Sequence, residues 1–374
     1  MIKTTFVVEQ KPLLSIIASM QPICTKRTSL DSTTFLLFQV SHKEMVIKST
    51  DLEVSLQASY TLKEGMIDEP CTFLVSGRRI FELLKELDGD ITFTLQENQL
   101  LLSCGFVSLS LNTRDAQDFP PFPERIENLM QFETSFLLEL LNKVSFLIPQ
   151  NNANQALNGL FIEINDKEIK MTATDGHCLA QVVSAKYTLE AQKQWLIPRR
   201  AIFEIKKLLE GSFDKSIFLG ICGNQLVFSG LTFNFFTKLL ADPFPNYATI
   251  LDRNEFLPAR VDRAHLIKTL RRSACLLSGQ FIATHFSFDT ENIKVMMQNK
   301  EVGSLQEEIP LHEFEGAKLD IRFYAPYLLS GLQVFPHEQV TFYLKNGSRP
   351  IMFETREEGY HLLYLVMPVA PSHA

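Results

Sequence analysis

Tryptophan occurs once in 374 residues, and the six cysteines (Cys24, Cys71, Cys104, Cys178, Cys222, Cys275) stand singly, with no Cys-x-x-Cys pair. That pattern excludes a structural zinc site and a disulfide framework, and leaves buried thiols in a reducing compartment. No metal or other cofactor is expected. Apolar runs are short everywhere and none approaches the about 18 residues of a membrane span, so no membrane association is expected. The opening residues Met1-Ile-Lys-Thr-Thr-Phe-Val-Val alternate like a strand, without a signal peptide's apolar core and cleavage site, and the expected location is the cytoplasm. Gly-x-Ser-x-Gly, P-loop and Gly-x-Gly-x-x-Gly motifs are all missing. Asp175 and His177 lie two residues apart in a turn, which does not build a catalytic triad, so a hydrolase is the least favoured reading. Positive charge is not in excess either: the net charge of −7 argues, taken whole, against a nucleic-acid partner.

What is present is repetition. The chain is too long for one ordinary core, and 45% apolar residues, including 30 Phe and 10 Met, supply several. Thr174-Asp175-Gly176 is a tight-turn sequence in which Asp bonds its own backbone and Gly accepts positive φ. Thr50-Asp51-Leu52-Glu53 and Gln298-Asn299-Lys300-Glu301 repeat it about 125 residues to either side. Each follows a strand-like run: Glu44 to Ser49, Glu168 to Ala173 and Asn292 to Met297.

Other features keep the same period. Helix-patterned segments begin near Glu9, Thr134 and Asp262, the last two with Thr and Asp as expected caps. A second helix entered from a strand follows in each third. Residues 73–87 and 195–209 align without gaps through Ile-Phe-Glu, and 323–335 share the apolar pattern. Each third closes on an apolar segment ending in proline, at Pro120, Pro245 and Pro368. The fold class is therefore α+β: one module present three times, each copy two helices plus antiparallel strands. Its boundaries are placed at 1–125, 126–253 and 254–374, with linkers near Pro123 to Met130 and Leu251 to Pro258.

Charge is unevenly distributed over this plan. Segments 73–87, 195–209 and 260–278 carry +1, +3 and +4, which leaves −15 for the rest. Arg78 and Lys85, like Arg200 and Lys207, are seven apart and share one helix face, with Ile80, Leu84 and Leu87 or Ile202, Ile205 and Leu209 on another. Lys268, Arg271 and Arg272 repeat the arrangement in the third copy. A single amphipathic helix with basic residues is an ordinary solvated face. Three, one in each copy, point to phosphate contact. With no zinc finger, aromatic single-strand platform or recognition helix, such contact would be independent of base sequence.

Thr50-Asp-Leu-Glu53, Ala116-Gln-Asp-Phe-Pro120, Leu157-Asn-Gly159, Ala173-Thr-Asp-Gly-His177, Ile197-Pro-Arg199, Phe244-Pro-Asn-Tyr247 and Tyr364-Leu-Val-Met-Pro368 together closely resemble the bacterial DNA polymerase III beta subunit family, the sliding clamps. The match runs along essentially the whole chain. The resemblance implies a homodimeric, head-to-tail ring of six similar domains, non-catalytic, with helices lining a hole for duplex DNA. It implies as partners the catalytic subunit of that polymerase, the clamp loader, and other polymerases and repair proteins that carry clamp-binding peptides. By matching position, the peptide pocket is Leu157, Thr174, Gly176, His177, Leu179, Pro245, Ile250, Tyr327, Leu365, Met367, Pro368 and Val369. The dimer surfaces are Leu109 and Leu111 on one side, and Arg272, Cys275 and Leu276 on the other. DNA-facing candidates are Arg27, Arg199 and Arg200 by matching position, and Arg78, Lys85, Lys207 and Arg271 from the helix faces. A protein-only scaffold ring is the alternative, separated from this reading by a processivity assay on primed circular DNA. Cys178 and Thr249 stand where relatives often carry Arg, Gln150 to Gln155 is uncharged where they often place Arg and Tyr, and Val-Ala-Pro-Ser-His-Ala extends past Met367-Pro368.

Overall fold

The computed structural model describes residues 4–62, 67, 69–124, 126–278 and 282–370; the last four residues of the C-terminal extension lie outside them. Six α-helices occur among the described residues: α1 (Gln10–Cys24), α2 (Gly77–Lys85), α3 (Thr134–Val144), α4 (Arg199–Gly211), α5 (Arg263–Ala274) and α6 (Ala325–Leu332). They fall two to each third, as the period requires. None is long and apolar enough to cross a membrane. Every strand pairing is antiparallel.

The helices form where a buried stripe coincides with a start signal. In α2, Ile80 and Leu84 are fully buried while Arg78, Arg79 and Lys85 are exposed. In α5, Asp262 caps as expected, its Oδ1 accepting the His265 N–H at 2.6 Å. Thr134 does not cap. It is the first residue of α3, its N–H bonded to the Lys215 carbonyl and its hydroxyl buried without a partner. The helix begins at Thr134 itself, so the position that would cap it falls one residue earlier, on Glu133 at the end of the strand Glu127–Glu133. The second linker is also shorter than expected, because Leu257 and Pro258 already belong to the strand Leu257–Asp262.

The three turns share one chemistry. Asp51 Oδ1 accepts from the N–H groups of Glu53 and Val54 (3.0 and 2.8 Å), Asp175 Oδ1 from His177 and Cys178 (2.8 and 2.7 Å), and Asn299 Oδ1 from Glu301 (3.0 Å). Gly176 takes φ +94° at no steric cost, whereas Leu52 holds φ +75° against the clash of its Cβ.

By internal contact the chain divides into two compact units, Met1–Ser135 with Glu204–Leu239, and Phe136–Phe203 with Leu240–Ala374. The first contains a 12-stranded sheet. Val54–Thr61 from the first third pairs there with Phe233–Lys238 from the second, so one sheet crosses the seam between repeats. The second unit contains an 8-stranded and a 4-stranded sheet. Cys178–Ser184 from the second third pairs with Tyr360–Val366 from the third, which laces that seam in the same way.

Candidate partner-peptide pocket and cationic helices

The proposed pocket residues all belong to the second unit. Its floor is built at the seam: Leu179 faces Leu365 across the Cys178–Ser184 and Tyr360–Val366 strands, and Met352 faces Leu365 from the other side. Leu179, Met352, Leu363 and Leu365 form one buried cluster, against which Tyr247, Ile250, Leu251, Phe256, Tyr343 and Met367 pack. Past the end of the strand the chain stays in place, with the Met367 N–H on the His177 carbonyl (2.9 Å) and the Val369 N–H on that of Arg322 (2.8 Å).

A second knot surrounds the Asp175 turn. The His177 ring stacks on Tyr327 with centroids 5.6 Å apart, and Tyr324 meets Tyr327 edge-on at 5.0 Å. Tyr364 Oη donates to the Tyr327 carbonyl at 2.7 Å, its ring filling the space that a side chain at Gly331 would need. Thr174 Oγ1 donates to the Cys178 carbonyl and accepts the Gly176 N–H. Leu157 comes within 3.8 Å of where a Cβ on Gly176 would be. The uncharged 150–155 loop is tied to this knot by amides: Asn158 bonds both ways with Asn152, whose Nδ2 donates to the Asp175 carbonyl.

Exposure separates the pocket residues into two sets. Leu157, Leu179 and Leu365 are 7, 3 and 2% exposed, so they are floor in this structure. Gly176, His177 and Pro245 are exposed; Thr174, Ile250, Tyr327, Met367, Pro368 and Val369 are half-buried. Met352, Leu363, Tyr343 and Phe256 were not anticipated. Met352 and Leu363 sit on strands largely buried on both faces, with no alternation to mark an inner side. Tyr343 is a half-buried position of the alternating strand Gln339–Leu344, and Phe256 lies outside any strand. Cys178 turns inward, its thiol pushed up by burial and by the Asp175 carboxylate, and Thr249 is exposed; neither supplies a rim cation.

The cationic candidates differ in how they are engaged. In the first unit, Arg27 and Lys85 are exposed. Arg78 Nε bonds Glu82 Oε1 at 2.7 Å one turn along α2, which holds the guanidinium above its usual range. Lys207 lies 3.7 Å from Glu204. In the second unit Arg271 is exposed and Arg200 half-buried. Arg199 is turned to structural use: Nε donates to the Ile148 carbonyl at 2.9 Å and the guanidinium lies 4.2 Å from the Phe203 centroid.

The dimer candidates Leu109 and Leu111 fall on an open sheet edge, whereas Arg272, Cys275 and Leu276 lie in the last turn of α5 and just past it. Val107–Arg114 pairs with Gln99–Cys104 along residues 107–112, but meets Cys71–Ser76 only through Thr113 and Arg114. One side of Leu109 and Leu111 is therefore without a ladder among the described residues, and the neighbouring Phe106 is fully exposed. In the second unit, Gly303–Pro310 is the edge strand of its sheet. Arg272 bonds Glu307 on that strand through both Nε and Nη2, which brings the end of α5 and the edge together.

A two-helix, antiparallel-sheet module copied three times, with sheets continuous across both seams, defines a clamp-type protein. Residues 4–123, 131–246 and 249–370 match the N-terminal, central and C-terminal domains of the DNA polymerase III beta subunit. A beta sliding clamp of Pseudomonas putida is 29% identical over 371 residues, 97% of this chain and 99% of its own length. The solved beta subunit of Pseudomonas aeruginosa superposes with a TM-score of 0.89 at 26% identity, covering 98% of this chain and 100% of that one. Another solved clamp structure from that organism, bound to griselimycin, gives the same four values. The chain belongs to the DNA polymerase III beta subunit family, the sliding clamps.

Proposed function

We propose that two copies of this chain close head-to-tail around duplex DNA and tether the polymerase III catalytic subunit, the clamp loader and other peptide-bearing polymerases and repair proteins. The domains would be 1–125, 126–253 and 254–374, a division supported by the three family matches. The observation that carries the reading is the charge separation: three helical segments, one in each third of the chain, sum to +8 in a chain of net −7. Contacts of that kind reach phosphates without reading bases, and each is weak and quickly exchanged. Retention then comes from enclosure, and the role is non-catalytic. The two open edges, around Leu109 and Leu111 and along Gly303–Pro310, support closure by joining unlike surfaces of two copies. For partners, the aliphatic floor with half-buried Met367 and Ile250 suits an apolar peptide, because Met adapts to varied side chains.

The test is retention on DNA of different topology. Loaded onto nicked circles, the protein should survive salt that disrupts ordinary phosphate binding, and linearising the circle should release it. Equal loss from circles and linear molecules would falsify the account.

A further inference from the structure

Residues 247–256 cross the aliphatic floor as a strap that carries Ile250 and Leu251 onto it. The middle of the strap is a single 3-10 turn, Ala248–Leu251, and no sheet ladder includes it. Its further backbone bonds are local as well: the Ile250 N–H on the Tyr247 carbonyl and the Phe256 N–H on that of Arg253, both 3.1 Å. No backbone-to-backbone bond fastens it to the floor among the described residues. Side chains fasten it at both ends. At the front, Tyr247 Oη donates to the Glu163 carboxylate on the strand Gly159–Ile164 and lies 3.5 Å from Thr172 Oγ1, which Gln181 also holds. At the back, Arg253 Nη1 pairs with Glu354 on the strand Ile351–Glu357, its guanidinium 5.0 Å from the Tyr343 centroid. Lys345 Nζ adds a bond to the Asn254 carbonyl at 3.1 Å. Glu354 is 8% exposed, and His361 and Arg356 also approach it. A buried carboxylate so surrounded is held in one place, and it holds Arg253 in turn.

We propose that Glu163–Tyr247 and Arg253–Glu354 are positioning pairs that fix the height of Ile250 above the floor, and so set which apolar side chains of a partner peptide the pocket admits. The proposal rests on the pocket reading above. A strap pinned at both ends offers a slot of fixed width. Released at one end, it yields to larger groups and holds small ones less firmly, so affinity and selectivity fall together.

The probes are two fluorescein-labelled peptides carrying Gln and leucines, identical except that one leucine is phenylalanine in the second. Binding is read by anisotropy on the full-length dimer, with Met367→Ala as a pocket control. Tyr247→Phe, which removes one oxygen, and Glu354→Gln should each weaken the preferred peptide about 3- to 10-fold. Each should also bring the ratio of the two affinities toward one and speed hydrogen exchange at residues 248–252. If Glu354→Gln does not fold, Tyr247→Phe carries the test alone. Unchanged affinity and ratio, or weaker binding with the ratio kept, overturns the proposal: the first makes the pairs irrelevant to the pocket, the second makes them merely structural. Should the unaltered protein bind neither peptide, or the Met367→Ala protein bind both as tightly as the unaltered one does, the pocket reading itself falls, and the proposal with it.

Discussion

At the scale of single residues, the thiols show how strongly burial sets reactivity. Cys24 is 2% exposed and its pKa is pushed up to about 11 by burial; Cys71 is shifted the same way for the same reason. Cys178, 1% exposed, is raised further still. Since the thiolate is the reacting species, all three stay protonated near neutral pH, and Cys24 and Cys178 are shielded as well, whereas Cys71 is half-buried. Cys275, just past α5, is exposed. With iodoacetamide at pH 8, peptide mass mapping should find Cys275 alkylated first and Cys24 and Cys178 intact until the protein unfolds. Raising protein concentration should slow Cys275 alone, since it lies on a proposed dimer surface. Modification of Cys24 at a similar rate would mean that the core opens far more readily than its packing implies. The cations teach a related lesson. Seven-residue spacing puts Arg78 with Lys85 on one helix face, yet nothing in that spacing shows that Arg78 is bonded to Glu82. That bond is a four-residue pair within α2, readable only from its own spacing. Nor does a sequence match show that Arg199 faces the Ile148 carbonyl, a partner that exists only once separate segments meet.

Elements were legible where a local rule suffices. The buried stripe of α2, the Asp262 cap and the Asp51, Asp175 and Asn299 turns all follow from neighbouring residues. Strand partners do not, because Val54–Thr61 carries no mark that selects Phe233–Lys238 over any other apolar strand. The pocket shows the same divide: Leu179 and Leu365 stand in recognisable motifs, while Met352 and Tyr343 arrive only through tertiary pairing. Helix α6 offers a test of such long-range fit. A Cβ on Gly331 would lie 1.9 Å from the Tyr364 ring, which is fully buried and anchors Tyr327. Alanine is favoured over glycine in a helix by about 1 kcal/mol, but displacing a close-packed ring costs about 1–3 kcal/mol. Gly331→Ala should therefore lower stability in urea by about 1 kcal/mol net, or more where the ring cannot shift. An unchanged or higher midpoint would show that the ring moves freely.

For the whole molecule, the critical quantity is how copies join. Leu109 and Leu111 are half-buried on an open edge, so changing them disturbs surface more than core. Leu109→Asp combined with Leu111→Asp places like charges on the proposed joint, and light scattering should then find a folded monomer at concentrations where the unaltered protein is dimeric. A dimer that persists would move the interface elsewhere. The seams inside one chain are of another kind: five residue pairs join Val54–Thr61 to Phe233–Lys238, and six join Cys178–Ser184 to Tyr360–Val366. Pulling either apart would unzip a backbone ladder and uncover a core at once. In the proposed ring, mechanical load would thus be routed away from these seams toward the meeting of two molecules, and the gate through which a double helix enters would be settled by where the knitting stops.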